Sequence, residues 1–325
     1  MAKYKVTITD YYYENLENEK SEISKLDAIL LDYHCKTEED VISAAKDADA
    51  VIVQFAPITR HVIESLRKCR IIVRYAIGVD NVDVGAAEEH GIYVCNVPDY
   101  GIDEVSNHAI ALLFACVKKI NIAAGAVREG RWNYQEVKPL YRMRGRILGL
   151  IGLGRIPTMV AKKMSGFGLD IVAYDPFKNE DDARCAGVRL VSMEELLRTS
   201  DYISVHCPLY KSTYHLIDRN AFAKMKDTVI FINTARGGVV CEHDLIEALQ
   251  NGKIASAGLD VCESEPISQD SPLLKMANVI VTPHMAWYSQ EAIDSLQHKA
   301  AEEVVRMLNG EKPKNPVNQP KEPRG

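Results

Sequence analysis

The sequence predicts an α/β protein of two domains, each built on a parallel sheet. Three observations carry this reading. At 325 residues and 47% hydrophobic, the chain is long enough to bury two cores of ordinary size. Strand-like and helix-like apolar segments alternate along it, as strands and crossover helices do. A long helical stretch near residue 103 separates two such series, and no repeat or low-complexity tract interrupts either.

In the first half, strands are predicted at 5–9, 28–32, 50–53, 71–74 and 91–94, with helices at 38–45 and 60–68. A helix is predicted over 103–120. Asp103 and Glu104 stand in its first turn and Lys118-Lys119 in its last, which suits the helix dipole. The second half restarts the alternation with strands at 147–151, 170–174, 202–206, 229–233, 257–260 and 279–282. Helices fall near 156–167, 193–198, 218–224 and 242–251. Six strands is the Rossmann count. An amphipathic helix over 289–308 leads into a Pro-rich tail; if it packs back on the first half, the outer domain is discontinuous.

Composition removes several classes of function. A formal net charge of -6 argues against general affinity for nucleic acid or anionic lipid, which needs a basic surface. The longest apolar run, 109–117, falls far short of the ~20 residues that span a bilayer. The first ten residues lack the apolar core of a signal peptide, so a cytoplasmic protein is expected. Eight cysteines at wide spacing, without a CxxC, read as reduced thiols. No metal site is expected, because the nine histidines include no HExxH.

The stretch LGLIGLGRIP, 148–157, is an apolar strand running into glycines and then a helix. Gly152 and Gly154 let backbone N–H groups at that helix start face a pyrophosphate. Asp175 ends the next strand, at the ~20-residue distance of the acid that hydrogen-bonds a ribose diol in NAD sites and repels a 2′-phosphate. NAD is therefore expected rather than NADP. Pro157 stands where the pattern wants a third glycine, but that glycine serves helix packing rather than phosphate contact, and proline is tolerated in a first helical turn.

Ligands in such folds bind beyond the carboxyl ends of the strands, where three polar residues stand out. Arg236 lies in INTARGGVV, Glu265 in LDVCESEP and His284 in VTPHMAW. Hydride transfer to a 2-oxo acid needs a cation for the substrate, an acid/base for its oxygen and a carboxylate to hold that base. Arg236, His284 and Glu265 supply them in that order. His206 also ends a strand and is expected to line the cofactor side.

These residues resemble the D-isomer-specific 2-hydroxyacid dehydrogenases, through IIGLGRI, AYDP, NTARGG, LDVCESEP and TPH in that order, and through IIVRYAIGVDNVD and GIYVCNVP in the first half. DVCESEP and TPHMAWYS resemble the C-terminal-binding-protein branch, chiefly through Trp287-Tyr288. The resemblance implies an NAD-dependent enzyme that interconverts 2-oxo and D-2-hydroxy acids. It implies a Rossmann NAD-binding domain at 102–294 and a discontinuous, flavodoxin-like substrate-binding domain at 1–101 and 295–325. It places Arg155 and Ile156 at the pyrophosphate, Asp175 at the adenosine ribose, and Asp260, Thr234 and Ala235 beside the nicotinamide. It places Arg74 and the amides of Ile77, Gly78 and Val79 at the substrate carboxylate, and Trp287 in the substrate pocket. A large aromatic next to the acid/base also suits an apolar substrate tail. Of Tyr11, Tyr12 and Tyr13, at most two can point toward a substrate; Tyr75 and Tyr100 are further candidates. The family implies a homodimer through the cofactor domain and its 103–120 helix. The alternative reading is an NAD(H)-sensing scaffold with little turnover.

Overall fold

A computed structural model describes residues 2–324. The chain divides into two compact units, one of residues 1–101 and 289–325 and a second of 102–288, so it returns to the first unit somewhat before the expected residue 295.

The first unit opens with β1 (Tyr4–Ile8), α1 (Glu17–Ile23), β2 (Ala28–Asp32), α2 (Glu38–Ala45), β3 (Ala50–Val53), α3 (Arg60–Ser65), β4 (Ile71–Arg74), α4 (Val84–Glu89) and β5 (Tyr93–Cys95). The five strands form one parallel sheet in the order β2-β1-β3-β4-β5. All four residues of β3 are buried, as a central strand covered on both faces requires. Thr37 caps α2 through a full capping box with Asp40. The helices α1 and α4 were not legible in the sequence; both are short, and α1 is mostly charged.

The second unit contains α5 (Ile102–Val117), α6 (Ile120–Arg128), β6 (Ile147–Ile151), α7 (Arg155–Met164), β7 (Asp170–Tyr174), α8 (Glu180–Ala186), β8 (Arg189–Leu190), α9 (Met193–Thr199), β9 (Tyr202–Val205), α10 (Arg219–Lys224), β10 (Ile230–Asn233), α11 (Glu242–Gln250), β11 (Ser256–Leu259) and β12 (Val279–Val281). Its seven parallel strands run in the order β12-β11-β10-β9-β6-β7-β8. Six are the strands the sequence announced. The seventh, β8, is a two-residue edge strand too short to leave a pattern.

The helix expected over 103–120 ends at Val117. Lys119 adopts a left-handed conformation (φ 49°), and the chain restarts as α6 at an angle of 61°. In α5, Val105, Ala109, Leu112, Leu113 and Cys116 are buried, and the helix packs on α7, β10 and β11 of its own unit. Gly258 of β11 makes that approach possible, since a Cβ there would lie 3.0 Å from Leu112 Cβ and 2.9 Å from Ile232 Cδ1. No single described helix is long and apolar enough to cross a membrane. Six of the eight cysteines are buried.

The chain returns to the first unit as α12 (Gln290–Leu308), capped by the Ser289 hydroxyl and packed on α1, β3 and β4. Gln297 of α12 and Tyr75, just past β4, both donate to the buried carboxyl of Glu19, at 3.0 and 2.6 Å. Burial pushes the Glu19 carboxyl up, although these hydrogen bonds pull it back in part. Tyr75 is therefore a core residue and not the substrate contact it was considered for; Tyr13 is buried edge-on against it. Tyr75→Phe leaves Glu19 short of a donor and should lower unfolding stability by about 1–3 kcal/mol, read from urea unfolding. The Glu19 contribution runs opposite to that of a salt-bridged acid: it declines as pH rises from the ordinary carboxylate range through the raised value.

Candidate active site

Because the strands of the second unit are parallel, their carboxyl ends share one edge of the sheet. Each sequence-marked segment follows one of them. After β6, Gly152 takes a φ of 98°, and a Cβ there would press within 3.0 Å of the Cys207 backbone N. A non-glycine residue would meet both strain and contact at this turn. Gly154 is the N-cap of α7 and has no side-chain cap, and a Cβ at Gly154 would meet nothing within 4 Å. Open space therefore lies before the first N–H groups of the helix, those of Arg155 and Ile156. Pro157 is the third residue of α7 and is buried, so its ring packs inward while its missing N–H lies in the turn that has no intrahelical acceptor.

Asp175 follows β7. Its two carboxylate oxygens accept from Leu153 N and Phe177 N, each at 2.9 Å. That tie holds it against the glycine turn and leaves lone pairs on both oxygens for hydroxyl donors. His206 follows β9, with its Nε2 2.8 Å from Ser204 Oγ. Burial pushes its imidazole down to about 3, so the ring is a neutral polar group rather than a cation.

The turn after β10 is held by the asparagine that opens the NTARGG motif, to which the sequence alone assigned no role. Asn233 accepts from Ala235 N and donates to Arg236 O, both at 3.0 Å, which folds the 234–236 segment back on the strand end. The Thr234 hydroxyl is buried there without a protein partner. Arg236 is partly buried and donates to Ala235 O at 2.8 Å. Next to it, Gly237 lies so close to the loop after β11 that a Cβ would stand 1.8 Å from Cys262 O.

That loop carries Glu265, which accepts from Cys262 N at 3.0 Å through Oε1 and contacts His284 Nδ1 at 2.6 Å through Oε2. Burial raises the Glu265 carboxyl, but the hydrogen bond and charge of His284, the Cys262 N–H and the Arg236 charge outweigh it and hold it below the ordinary glutamate range. The two side chains remain 39% and 38% exposed, so a solvent-facing ligand can reach the pair.

His284 itself has a φ of 51°, an uncommon conformation for a residue with a Cβ. Asp260 explains how it is maintained. Its buried carboxylate accepts from Met285 N (3.0 Å), Ala286 N (2.8 Å) and the Thr282 hydroxyl (2.5 Å). His108 of α5 lies 3.4 Å from the same carboxylate, and its Nε2 is 2.9 Å from Thr282 Oγ1. Burial raises this carboxyl, and the hydrogen bonds from His108, Thr282 and the two amides more than reverse that. Asp260, expected beside the nicotinamide, thus has its carboxylate committed to the turn that presents His284. His108 lies outside every motif, and Thr282 opens the TPH motif without announcing its bond to Asp260; the packing of α5 reveals both roles. Trp287 is partly buried, and its indole N–H donates to His284 O at 2.9 Å.

In the first unit, Arg74 ends β4, donates through Nε to Asn81 Oδ1 at 3.0 Å and lies over the Phe55 ring. The loop after it is fastened through its carbonyls, Ile77 O by Asn96 Nδ2 (2.5 Å) and Val79 O by Val82 N (3.0 Å). Among the described residues, none of the N–H groups of Ile77, Gly78 and Val79 donates to a protein acceptor.

The glycine turn, the open helix start, the strand-end acid and the unpartnered Thr234 hydroxyl together fit a dinucleotide. Comparison with known proteins agrees. Residues 110–286 match the family model described as D-isomer specific 2-hydroxyacid dehydrogenase, NAD binding domain. The chain belongs to this family. The dehydrogenase is 42% identical over 283 residues to a glyoxylate reductase of Korarchaeum cryptofilum, covering 86% of this chain and 85% of that one. It is 38% identical over 321 residues to a D-3-phosphoglycerate dehydrogenase of Methanocaldococcus jannaschii, covering 98% of this chain but 60% of the longer relative. Among solved structures it resembles the Aquifex aeolicus D-lactate dehydrogenase in complex with NAD and lactic acid. That match has a TM-score of 0.86 at 27% identity and covers 97% of this chain and all of that one. The protein is an NAD-dependent D-2-hydroxyacid dehydrogenase with two parallel-sheet α/β units.

Proposed function

We propose that the dehydrogenase interconverts a 2-oxo acid and its D-2-hydroxy acid with His284 as general acid/base. The contact of His284 Nδ1 with Glu265 at 2.6 Å carries this reading, because it fixes the ring and leaves Nε2 to exchange the proton. When bound, NADH would supply the hydride to substrate C2 in reduction, and NAD+ would accept it in the reverse direction. For reduction, protonated His284 gives its Nε2 proton to the carbonyl oxygen, and Glu265 stabilises the imidazolium before transfer. Arg236 binds the substrate and polarises its carbonyl. Arg74 and the N–H groups of Ile77, Gly78 and Val79 bind the carboxylate, the open amides supplying donors and the guanidinium the charge. Gly152, Gly154, Arg155 and Ile156 hold the pyrophosphate, and Asp175 holds the ribose diol. Thr234, Ala235, Asp260 and His206 border the nicotinamide side, Asp260 through the turn it organises.

The branch placement, near the C-terminal-binding proteins, is supported by DVCESEP and the Trp287-Tyr288 pair. A homodimer is supported by the strongly exposed Trp132 and Tyr134 that follow α6, which a second copy would cover; sedimentation of Trp132→Ser as a monomer would test it. Turnover of 2-oxo acids with NADH, with the chirality of the product determined, tests the reaction; an L-product or no turnover would refute it. Asp175→Ala should weaken NAD binding roughly tenfold or more and narrow the preference over NADP, as read by titrating both cofactors.

A further inference from the structure

The loop after β11 meets two histidines, and the proposed reaction uses one of them. Glu265 contacts His284; two positions earlier, Glu263 contacts His215 Nε2 through Oε1. Among the described residues, His215 and His284 are two of the three non-glycine residues with left-handed backbone, both at a φ of 51°. Histidine enters that region more readily than most residues, but strained backbone of this kind persists where the surroundings hold it.

The surroundings of His215 do hold it. Its N–H donates to Gly238 O at 2.9 Å, and its ring stacks on that of Tyr214, with centroids 3.9 Å apart and planes 18° apart. Glu263 is fastened as firmly. Its Oε2 accepts from Glu242 N at 2.9 Å, while Glu242 Oε2 accepts from Glu263 N at 3.1 Å, so the loop and the first residue of α11 grip each other reciprocally. The side chains of His215 and Glu263 are 30% and 28% exposed, and a partly exposed ion pair adds little to stability. Its consequence is geometric.

Glu265 reaches His284 through Oε2 while its Oε1 accepts from Cys262 N, a bond that closes a turn over residues 262–265. Glu263 lies inside that turn, so anchoring Glu263 anchors the turn that carries Glu265. The turn that presents His284 is fastened separately, by Asp260. Without the Glu263 anchor, His284 would stay in place while Glu265 drifted from it.

We propose that His215 and Glu263 are positioning residues for the 2-oxo acid reaction, acting through Glu265 rather than on the substrate. This rests on the reading of Glu265 as the partner of His284. Steady-state reduction of glyoxylate, hydroxypyruvate, pyruvate and phenylpyruvate by the full chain with NADH selects the acid on which variants are compared. His215→Asn tolerates the left-handed backbone but removes the ring. It and Glu263→Ala should each lower kcat about tenfold or more, within the ~10²-fold that a misplacement of about 1 Å can cost. NADH affinity, read by fluorescence titration, should stay native. Glu263→Gln keeps an acceptor for the Glu242 N–H and should retain most of kcat.

The deciding comparison is made in the Glu265→Gln background. There Glu263→Ala should lower kcat by less than about twofold further, because the route through Glu265 is already cut. An equal fold loss in both backgrounds would mean a structural role only and would overturn the proposal, as would native kcat in both His215→Asn and Glu263→Ala; either result leaves the reaction intact. No turnover of any of the four acids by the native chain, or native kcat in Glu265→Gln, would overturn the underlying reading and the positioning role with it.

Discussion

His284→Ala lowers turnover about 10²–10⁴-fold while NAD affinity, read by NADH fluorescence titration, stays that of the native enzyme. Two observations set this expectation. The imidazole contacts the Glu265 carboxylate through Nδ1, which leaves the other ring nitrogen for substrate. The glycine turn and Asp175 that fit the cofactor follow β6 and β7, strands other than the one that leads into His284. Native turnover in the variant would end the assignment. The pair also has a pH signature. Glu265 is held below the ordinary glutamate range, so its contribution to stability is complete above the unfolded-state value and is lost as pH falls through the depressed one. Unfolding midpoints of the native protein and Glu265→Gln, followed from neutral to acid pH, should therefore converge toward the acid end.

Gly237→Ala is expected to be nearly as damaging through packing alone. A Cβ would stand 1.8 Å from Cys262 O, 2.0 Å from its carbonyl carbon and 2.5 Å from Glu263 N, all backbone atoms that cannot swing aside as a side chain would. The loop after β11 has to move, at a cost of about 1–3 kcal/mol or more. Glu265 sits on that loop and Arg236 precedes the glycine. The same displacement should therefore lower kcat/KM by at least about tenfold, a loss accompanied by a lower unfolding midpoint. A variant with native stability and native kcat/KM would show that the two loops are not pressed together.

The parallel sheets were legible because fully buried strands leave unbroken apolar runs, as AVIV of β3 does. Gly152, Gly154, Asp175, Arg236, Glu265 and His284 were legible because their chemistry recurs at strand ends. Short elements were not. The seven residues of α1 are mostly charged and show no apolar periodicity, and β8 offers two residues to any pattern. The bend at Lys119 was hidden because a lysine there marks a helix end by charge but does not announce a left-handed turn. Residues that hold others in place escaped for a different reason. Asn233, Thr282 and His108 act through bonds to backbone or to Asp260, and His108 is 174 positions from Thr282. Only the fold brings such pairs together.

The left-handed backbone at His284 has a consequence for how this protein can change. Asparagine and glycine enter that conformation at least as readily as histidine, so either can replace the imidazole without unmaking the turn that Asp260 fastens. Loss of chemistry and loss of structure are thus uncoupled at this position. A descendant that keeps the cofactor fold but no longer turns over substrate lies one substitution away, at the cost of the Glu265 contact.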